Sequence, residues 1–423
     1  MSEGLTIAEK VFSQKAGRRV RAGEVVTAEA DLVCFVDLGL HMFRKGWDQL
    51  GVERVKNPDR IAVVFDHKVP ADSPHTAALH QQWRRWCREQ GITRLGDLGD
   101  QGISHQWVVD RGYARPGMLI INQDSHANTT GGIGCFATPI GFDIVMDLAV
   151  GYNWYTVPPT IRVRVDGEFP LGAMARDLMH RVNSDLGTDG AIDQAIEFQG
   201  PAIDRLPLDE RMTLCNLSRK VEAVAGICPS DDVTAEFYDA RGHGPIDRLE
   251  SDPDAVYAQD LFYDLATIDL SVSPPPNPSI SEPLEDLAGT AINQGFIGSC
   301  AGGRMEDLRA AAAVLRGRRI SPGVRLIVGP ASQDIYRQAS AEGTLDVLTQ
   351  AGAMVVAGSC ATCYGGLNGL LDAGEVCIAN STENHPGRMG STEADIYLAS
   401  AAIVAASALE GRIADPRPYL SSR

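Results

Sequence analysis

Short apolar runs that close on a polar residue or a glycine punctuate this chain. IAVVFD (61–66), MLIIN (118–122), VRLIVG (324–329) and EVCIAN (375–380) have this form, as strands buried on both faces of a parallel sheet do. Segments with helical periodicity alternate with them: TAALHQQWRRWCREQG (76–91), MEDLRAAAAVLRG (305–317) and QDIYRQASAEG (333–343). TIRVRVDG (160–167) alternates apolar and charged residues and predicts a half-exposed strand. Residues 6–22 open as a helix and turn at Ala16-Gly17, 24–38 predict a pair of strands, and 171–226 read as mostly helical with short strands. The final unit pairs a strand in EVCIANS with a helix over ADIYLASAAIVAAS.

This alternation predicts an α/β protein with mainly parallel sheets flanked by helices. SVSPPPNPSISEP (271–283) carries five prolines and predicts an extended linker. The expected divisions are 1–160, 161–285 and 286–423.

Composition narrows the partners. With 423 residues, 44% of them hydrophobic, the chain can build full cores. Its formal net charge of −17 argues against nucleic acid or an anionic membrane as the main partner. The start lacks a basic segment leading into an apolar run. The apolar stretch 398–411 is too short to span a bilayer. A cytoplasmic location is expected. Nine scattered cysteines in such a chain do not predict a disulfide framework.

Cys34, Cys135 and Cys377 read as buried small hydrophobes. Cys300, in GFIGSCAGG, and Cys360 and Cys363, in GSCATC, sit on small-residue turns just after predicted strands. A redox pair fits poorly with the YGGLNG that follows. A three-cysteine zinc site and an iron–sulfur cluster with one iron lacking a protein ligand both remain open.

Other chemistry falls in the same position, where parallel sheets bind ligands. Asp66 adjoins His67 in FDHKVP, Asp124 and His126 frame QDSH, and GISHQ supplies His105. A carboxylate fixes the tautomer of an imidazole and raises its pKa, which makes a proton donor. Arg388, in NHPGR, is a natural carboxylate clamp. His41, His75, His80, His180 and His243 have nothing converging on them and read as structural.

Taken together, AGRRVRAGEVV, FDHKVP, GISHQ, QDSHANTTGGIG, MTLCNLS, FIGSCAGGRMEDLRAAA, GSCATC and NHPGRMG resemble, in this order, the large subunit of the aconitase superfamily. The branch is that of 3-isopropylmalate dehydratase and homoaconitase, and the resemblance covers most of the chain. It implies three α/β/α domains around a central cleft, without the swivelling fourth domain. It implies a [4Fe-4S] cluster on Cys300, Cys360 and Cys363, whose open iron meets the substrate's hydroxyl and carboxylate. Asp66 and His67 then match the pair that protonates the leaving hydroxyl. His105 and Asp124 match a second pair, and His126 the histidine of a third. Arg388 matches a carboxylate-binding arginine and Asn216 an asparagine beside the cluster, with Ser125 expected at the substrate. The implied partner is a small subunit that carries the swivelling domain and the catalytic serine, and the implied substrate is a small hydroxy-carboxylic acid.

The chain departs from that pattern in three places. Ala301-Gly302 stands for Thr-Asn after the first cysteine. Lys220 stands for the glutamate that partners the third histidine, with Glu222 close by. Glu383 stands for a second substrate-binding arginine. Glu383 in an anion pocket is expected to repel a carboxylate and to alter substrate specificity away from citrate-like acids and isopropylmalate itself. Two function classes follow: a cluster-dependent hydro-lyase or isomerase, or a degenerate aconitase-fold protein with a binding or sensing role.

Overall fold

A computed structural model of the chain describes residues 3–420, apart from the side chains of residues 40–42 and 361. The reading of His41 therefore lies outside the described residues. Three sheets carry the architecture, all with parallel neighbours. The first runs Arg94–Gly96, Ile61–Val64, Leu32–Val36, Leu119–Asn122, Phe136–Pro139. The second runs Ala225–Ile227, Ala195–Gln199, Thr160–Asp166, Gln259–Asp264. The third runs Met354–Val355, Arg325–Val328, Gln294–Ile297, Val376–Ala379, Asp395–Leu398.

The first and third sheets are wound alike. In each, the first strand lies centrally, the next two step to one side, and the last two step to the other. Each therefore has a switch point at the carboxyl edge of its central strands, where neighbouring loops part and leave a crevice. Asp37 and Asp124 follow the two strands at one switch point, and Cys300 and Asn380 follow the two at the other.

Three expectations need correction. Residues 25–28 and 32–36 are both strands but do not pair with each other. Val25–Ala28 pairs antiparallel with Asn153–Thr156, while Leu32–Val36 enters the first sheet. ADIYL is not the start of a helix: Asp395–Leu398 is an edge strand, with Ile396 and Leu398 buried, and the helix spans Ala401–Glu410. The proline-rich stretch is no free linker. Its ends pair as Ser271–Val272 with Glu282–Pro283, and Ser273 exchanges backbone hydrogen bonds with Leu398 at 2.7 and 2.9 Å.

The site-bearing segments are pressed together by small residues. Ala127–Ile133, which follows His126, lies against the helix Leu208–Leu217 and the strand Ala225–Ile227. A Cβ at Gly131 would stand 1.8 Å from the Gly226 carbonyl oxygen, and one at Gly132 2.7 Å from the Met212 nitrogen. Only glycine permits that approach.

Arg304 joins the three parts. It is fully buried. Its Nε donates to Gln106 Oε1 at 2.9 Å, Nη1 to Thr213 Oγ1 at 3.2 Å, and Nη2 to the Cys300 carbonyl. Replacing it with methionine leaves these acceptors dry and unpaired. Arg304→Met is expected to cost about 1–3 kcal/mol for each acceptor left without its donor, read as a lower denaturant midpoint.

Candidate active site

The loops after the first sheet deliver an acid–imidazole network. Asp66 Oδ1 lies 2.6 Å from His67 Nδ1, and its Oδ2 accepts from the Ser104 N–H at 3.0 Å. Asp124 stands among three imidazoles: His67 Nε2 at 3.6 Å, His105 Nδ1 at 3.8 Å and His126 Nδ1 at 3.8 Å. The His126 backbone N–H donates to Asp124 Oδ1 at 2.8 Å, which ties the QDSH turn to its own carboxylate. Ser125 is exposed, with Oγ 3.2 Å from His126 Nδ1. The carboxylate at 124 thus serves all three imidazoles, which spacing alone did not reveal.

Burial sets the proton inventory. Burial disfavours charge on His67, but Asp66, Asp37 and Asp124 outweigh it and hold its pKa well above the usual value. His105, buried and with neither ring nitrogen bonded, is pushed down to about 3 and is neutral. Burial would raise Asp124, but the imidazoles around it and the His126 backbone N–H bring it down to about 2. The cationic His67 ring therefore faces a fixed anion, Asp124, 3.6 Å from its Nε2.

Asp37 was not foreseen. It follows Leu32–Val36 and is fully buried. Its carboxylate accepts from the backbone N–H groups of Asp66 (3.3 Å), His67 (2.9 Å) and Lys68 (2.9 Å), which fixes the turn that presents the Asp66–His67 pair. His80, read as structural, reaches it with Nε2 3.5 Å from Oδ2 and stacks on Phe65. Asp37, Asp66 and His67 each offer a ligand atom within 4.8 Å of the others. Their oxygens are already taken by backbone donors and imidazole, so the cluster reads as a positioned acid rather than a cation site. In the sequence, Asp37 ends an apolar run as Asp66 does, and that was the available signal.

The third sheet delivers the thiols. All nine cysteines are free and buried. Cys300 follows Gln294–Ile297, and Ser299 before it holds a left-handed backbone at φ 71°. Cys360 and Cys363 lie at the turn after Met354–Val355, and the Cys360 N–H donates to the Asp66 carbonyl at 2.6 Å. That bond joins the thiol turn to the acid pair. Arg388 Nη2 lies 3.7 Å from Cys363 Sγ, and Thr382 Oγ1 lies 3.5 Å from the same sulfur. The hydrogen bond from Cys360, helped by Arg388, holds the Cys363 thiol well below its ordinary pKa. Burial pushes Cys300 up to about 12.

This donor set fits a metal cluster. Three dry thiols act on one another, and the Cys300 and Cys360 thiols are both held in their uncharged form, so a bound metal is the natural source of charge for them. The surroundings also hold buried polar atoms without partners: Asn216 Oδ1, both nitrogens of His105, His126 Nε2 and Arg388 Nε. Such atoms are costly unless the cleft supplies partners. Asn216, whose Nδ2 donates to Thr129 Oγ1 at 2.7 Å, lies beside Cys300.

A family model described as aconitase family (aconitate hydratase) matches residues 9–289 and 280–411. The chain is 42% identical to the 3-isopropylmalate dehydratase large subunit 1 of Methanopyrus kandleri over 418 residues, 99% of this chain and 100% of that protein. It is 41% identical to the large subunit from Methanoregula boonei, with 98% and 99% covered. Against the large subunit 2 of Archaeoglobus fulgidus the identity is 39%, with 99% and 100% covered.

The chain belongs to the aconitase family.

Membership carries the activity class, an aconitase-type hydro-lyase, and a degenerate binding or sensing role is not favoured. No helix among the described residues is long and apolar enough to cross a membrane.

The departures from the family pattern have partners in this fold. Lys220 Nζ forms an ion pair with Glu383 Oε1, and the same oxygen lies 3.6 Å from His126 Nε2. Glu383 is therefore not an isolated charge: Lys220 pairs with it. Glu222 takes no part, being half exposed and paired with Arg219. Gly302 leaves room for Asn380, since a Cβ there would stand 2.1 Å from the Asn380 side-chain carbonyl carbon. The Asn380 amide accepts from the Gly298 N–H at 2.8 Å and donates to the Gly302 carbonyl at 2.7 Å. An amide thus braces the cysteine turn from the adjacent strand. Restoring the family's residue with Gly302→Asn is expected to destabilise the chain by about 1–3 kcal/mol by overpacking, measured by thermal or urea unfolding.

Proposed function

We propose that this chain is the cluster-bearing subunit of a hydro-lyase that removes and returns water at a small hydroxy acid of the isopropylmalate or homoaconitate kind. The observation that carries this reading is the junction at Cys360, whose backbone is bonded to Asp66 while its thiol shares a crevice with Cys300 and Cys363. Cys300, Cys360 and Cys363 would hold a [4Fe-4S] cluster with one open iron. When bound, that cluster supplies a Lewis acid for the hydroxyl and carboxylate oxygens.

The chain's own residues do the rest. His67, held cationic by Asp66, gives a proton to the departing hydroxyl, and a charged imidazole is a far better donor than water. Asp124 keeps His67, His105 and His126 turned inward. Arg388 takes a substrate carboxylate, since its Nε is unbonded and its fork matches two oxygens. Ser125 and Asn216 complete the polar lining, and Glu383 belongs to the substrate-binding side through His126. The burial of Asp66, His67 and Asn216 keeps bulk water away from the proton exchange.

The base that takes the carbon-bound proton is assigned to a small subunit, as the name large subunit on the relatives suggests. That subunit would bring the swivelling domain and its serine. A cytoplasmic setting suits a cluster that air destroys. The test is turnover: the anaerobically reconstituted pair of subunits is expected to interconvert isopropylmalate or a close hydroxy acid with its dehydrated form. The chain alone is expected to bind the acid without turning it over. Inactivity of a cluster-loaded pair toward every such acid would refute the reading.

A further inference from the structure

His126 is reached by two parts of the chain. Its Nδ1 lies 3.2 Å from Ser125 Oγ beside it. Its Nε2 is buried, with Glu383 Oε1 3.6 Å away. Glu383 lies beyond the strand Val376–Ala379, on the same turn as Arg388. Lys220, on the turn Ser218–Val221, pairs with it, and that turn is anchored where Ser279 Oγ donates to the Lys220 carbonyl at 2.5 Å.

The pair has a direction. The Lys220 side chain is 5% exposed and that of Glu383 19%, so the carboxylate is the more open member and the ammonium the deeper one. The remaining charged or titratable neighbours of Glu383 are His126, Arg388 and His385, whose Nδ1 lies 3.7 Å from Oε2 on a half-exposed ring. Lys220 is spent on Glu383 and has no charge to offer a substrate. Arg388 has an unbonded Nε, and its Nη2 lies 3.7 Å from Cys363 Sγ.

We propose that Lys220 and Glu383 act as one unit that orients His126 and decides which hydroxy acids enter: Glu383 meets an uncharged branch of the substrate and rejects a carboxylate there. The acids accepted are hydroxy-dicarboxylates with an alkyl or hydroxyl branch, and the acids refused carry a third carboxylate on that branch. This deepens the hydro-lyase reading and rests on it. A fixed carboxylate facing a substrate carboxylate costs binding, because neither can be solvated once they meet. Lys220 keeps Glu383 in place, and Glu383 holds the His126 ring.

The test uses the reconstituted two-subunit enzyme with isopropylmalate and citrate as probes. Calorimetry reads binding, steady-state kinetics read turnover, and thermal unfolding of each variant runs in parallel. The wild type is expected to bind citrate about 100-fold more weakly than isopropylmalate. Glu383→Gln is expected to lower kcat on isopropylmalate about tenfold with KM changed less than about threefold, the pattern of a lost positioning contact. The same variant narrows the citrate penalty. The double exchange Lys220→Glu with Glu383→Lys keeps an ion pair, turns its cation toward the cleft, and is expected to bring the two probes within about tenfold of each other. Equal binding of both probes by the wild type overturns the proposal, as does a citrate ratio that the folded double variant leaves unchanged. A preparation without cluster absorbance and without turnover refutes the hydro-lyase reading, and the proposal falls with it.

Discussion

Cys363→Ser, Cys360→Ser or Cys300→Ser leaves a chain that folds but holds no stable cluster and loses turnover. Each thiol is buried, and none forms a disulfide, so serine, smaller and polar, costs little in covalent terms. What it removes is a soft ligand. Iron–sulfur clusters are held by thiolates, and a hydroxyl in the same place is neither deprotonated nor soft enough to replace one. Loss of a mere outer partner of a metal ligand costs about 10–100-fold, so loss of a ligand itself is expected to exceed about 100-fold in kcat/KM. Iron and sulfide content measured beside activity checks this. Full iron content in the Cys363→Ser chain would remove that residue from the ligand set. Serine at Cys34, Cys135 or Cys377, each fully buried and outside the two thiol turns, is expected to leave iron content unchanged.

The second large effect concerns Asp66. Asp66→Asn keeps the shape of the side chain and removes its charge. One amide oxygen must now serve both the Ser104 N–H and His67 Nδ1, which two carboxylate oxygens serve at 3.0 and 2.6 Å. His67 loses the partner that most favours its charged form. A general acid is worth about 10²–10⁴-fold, and kcat is expected to fall by that factor with KM within a few-fold. Asp37→Asn should behave differently. Asp37 accepts from three backbone N–H groups, and an amide with one oxygen leaves donors orphaned at about 1–3 kcal/mol each. Its signature is lost stability first and lost activity second. Steady-state kinetics and urea unfolding of the two variants separate the roles, and a Asp66→Asn enzyme with unchanged kcat would remove His67 as the proton donor.

Much of this was legible in the sequence because the chemistry sits on strand ends. Apolar runs such as IAVVFD announce both the strand and the residue it delivers, and GSC and CATC place thiols on turns just after strands. What escaped was long-range. Val25–Ala28 looks like half of a hairpin, but its partner is Asn153–Thr156, more than a hundred residues on. Asp395–Leu398 runs into an alanine-rich helix, and the composition of that helix hid the strand. Asp37 and His80 gain their meaning only when the first sheet brings them behind His67. Lys220 with Glu383, and Gly302 with Asn380, each look like isolated defects along the chain, and only the fold sets each pair face to face. Along the chain Glu383 reads as an isolated charge because Lys220, its partner, lies far away in sequence.

The central claim is that three thiols and an acid–imidazole network share one cleft around an open iron. The most direct measurement is visible absorption and EPR of the chain, reconstituted anaerobically with iron and sulfide, before and after a hydroxy acid is added. The expected result is a broad absorption that depends on Cys300, Cys360 and Cys363, and an EPR signal that shifts when isopropylmalate or a close relative binds. A chain that takes up no cluster, or a cluster whose signal no hydroxy acid moves, would contradict it.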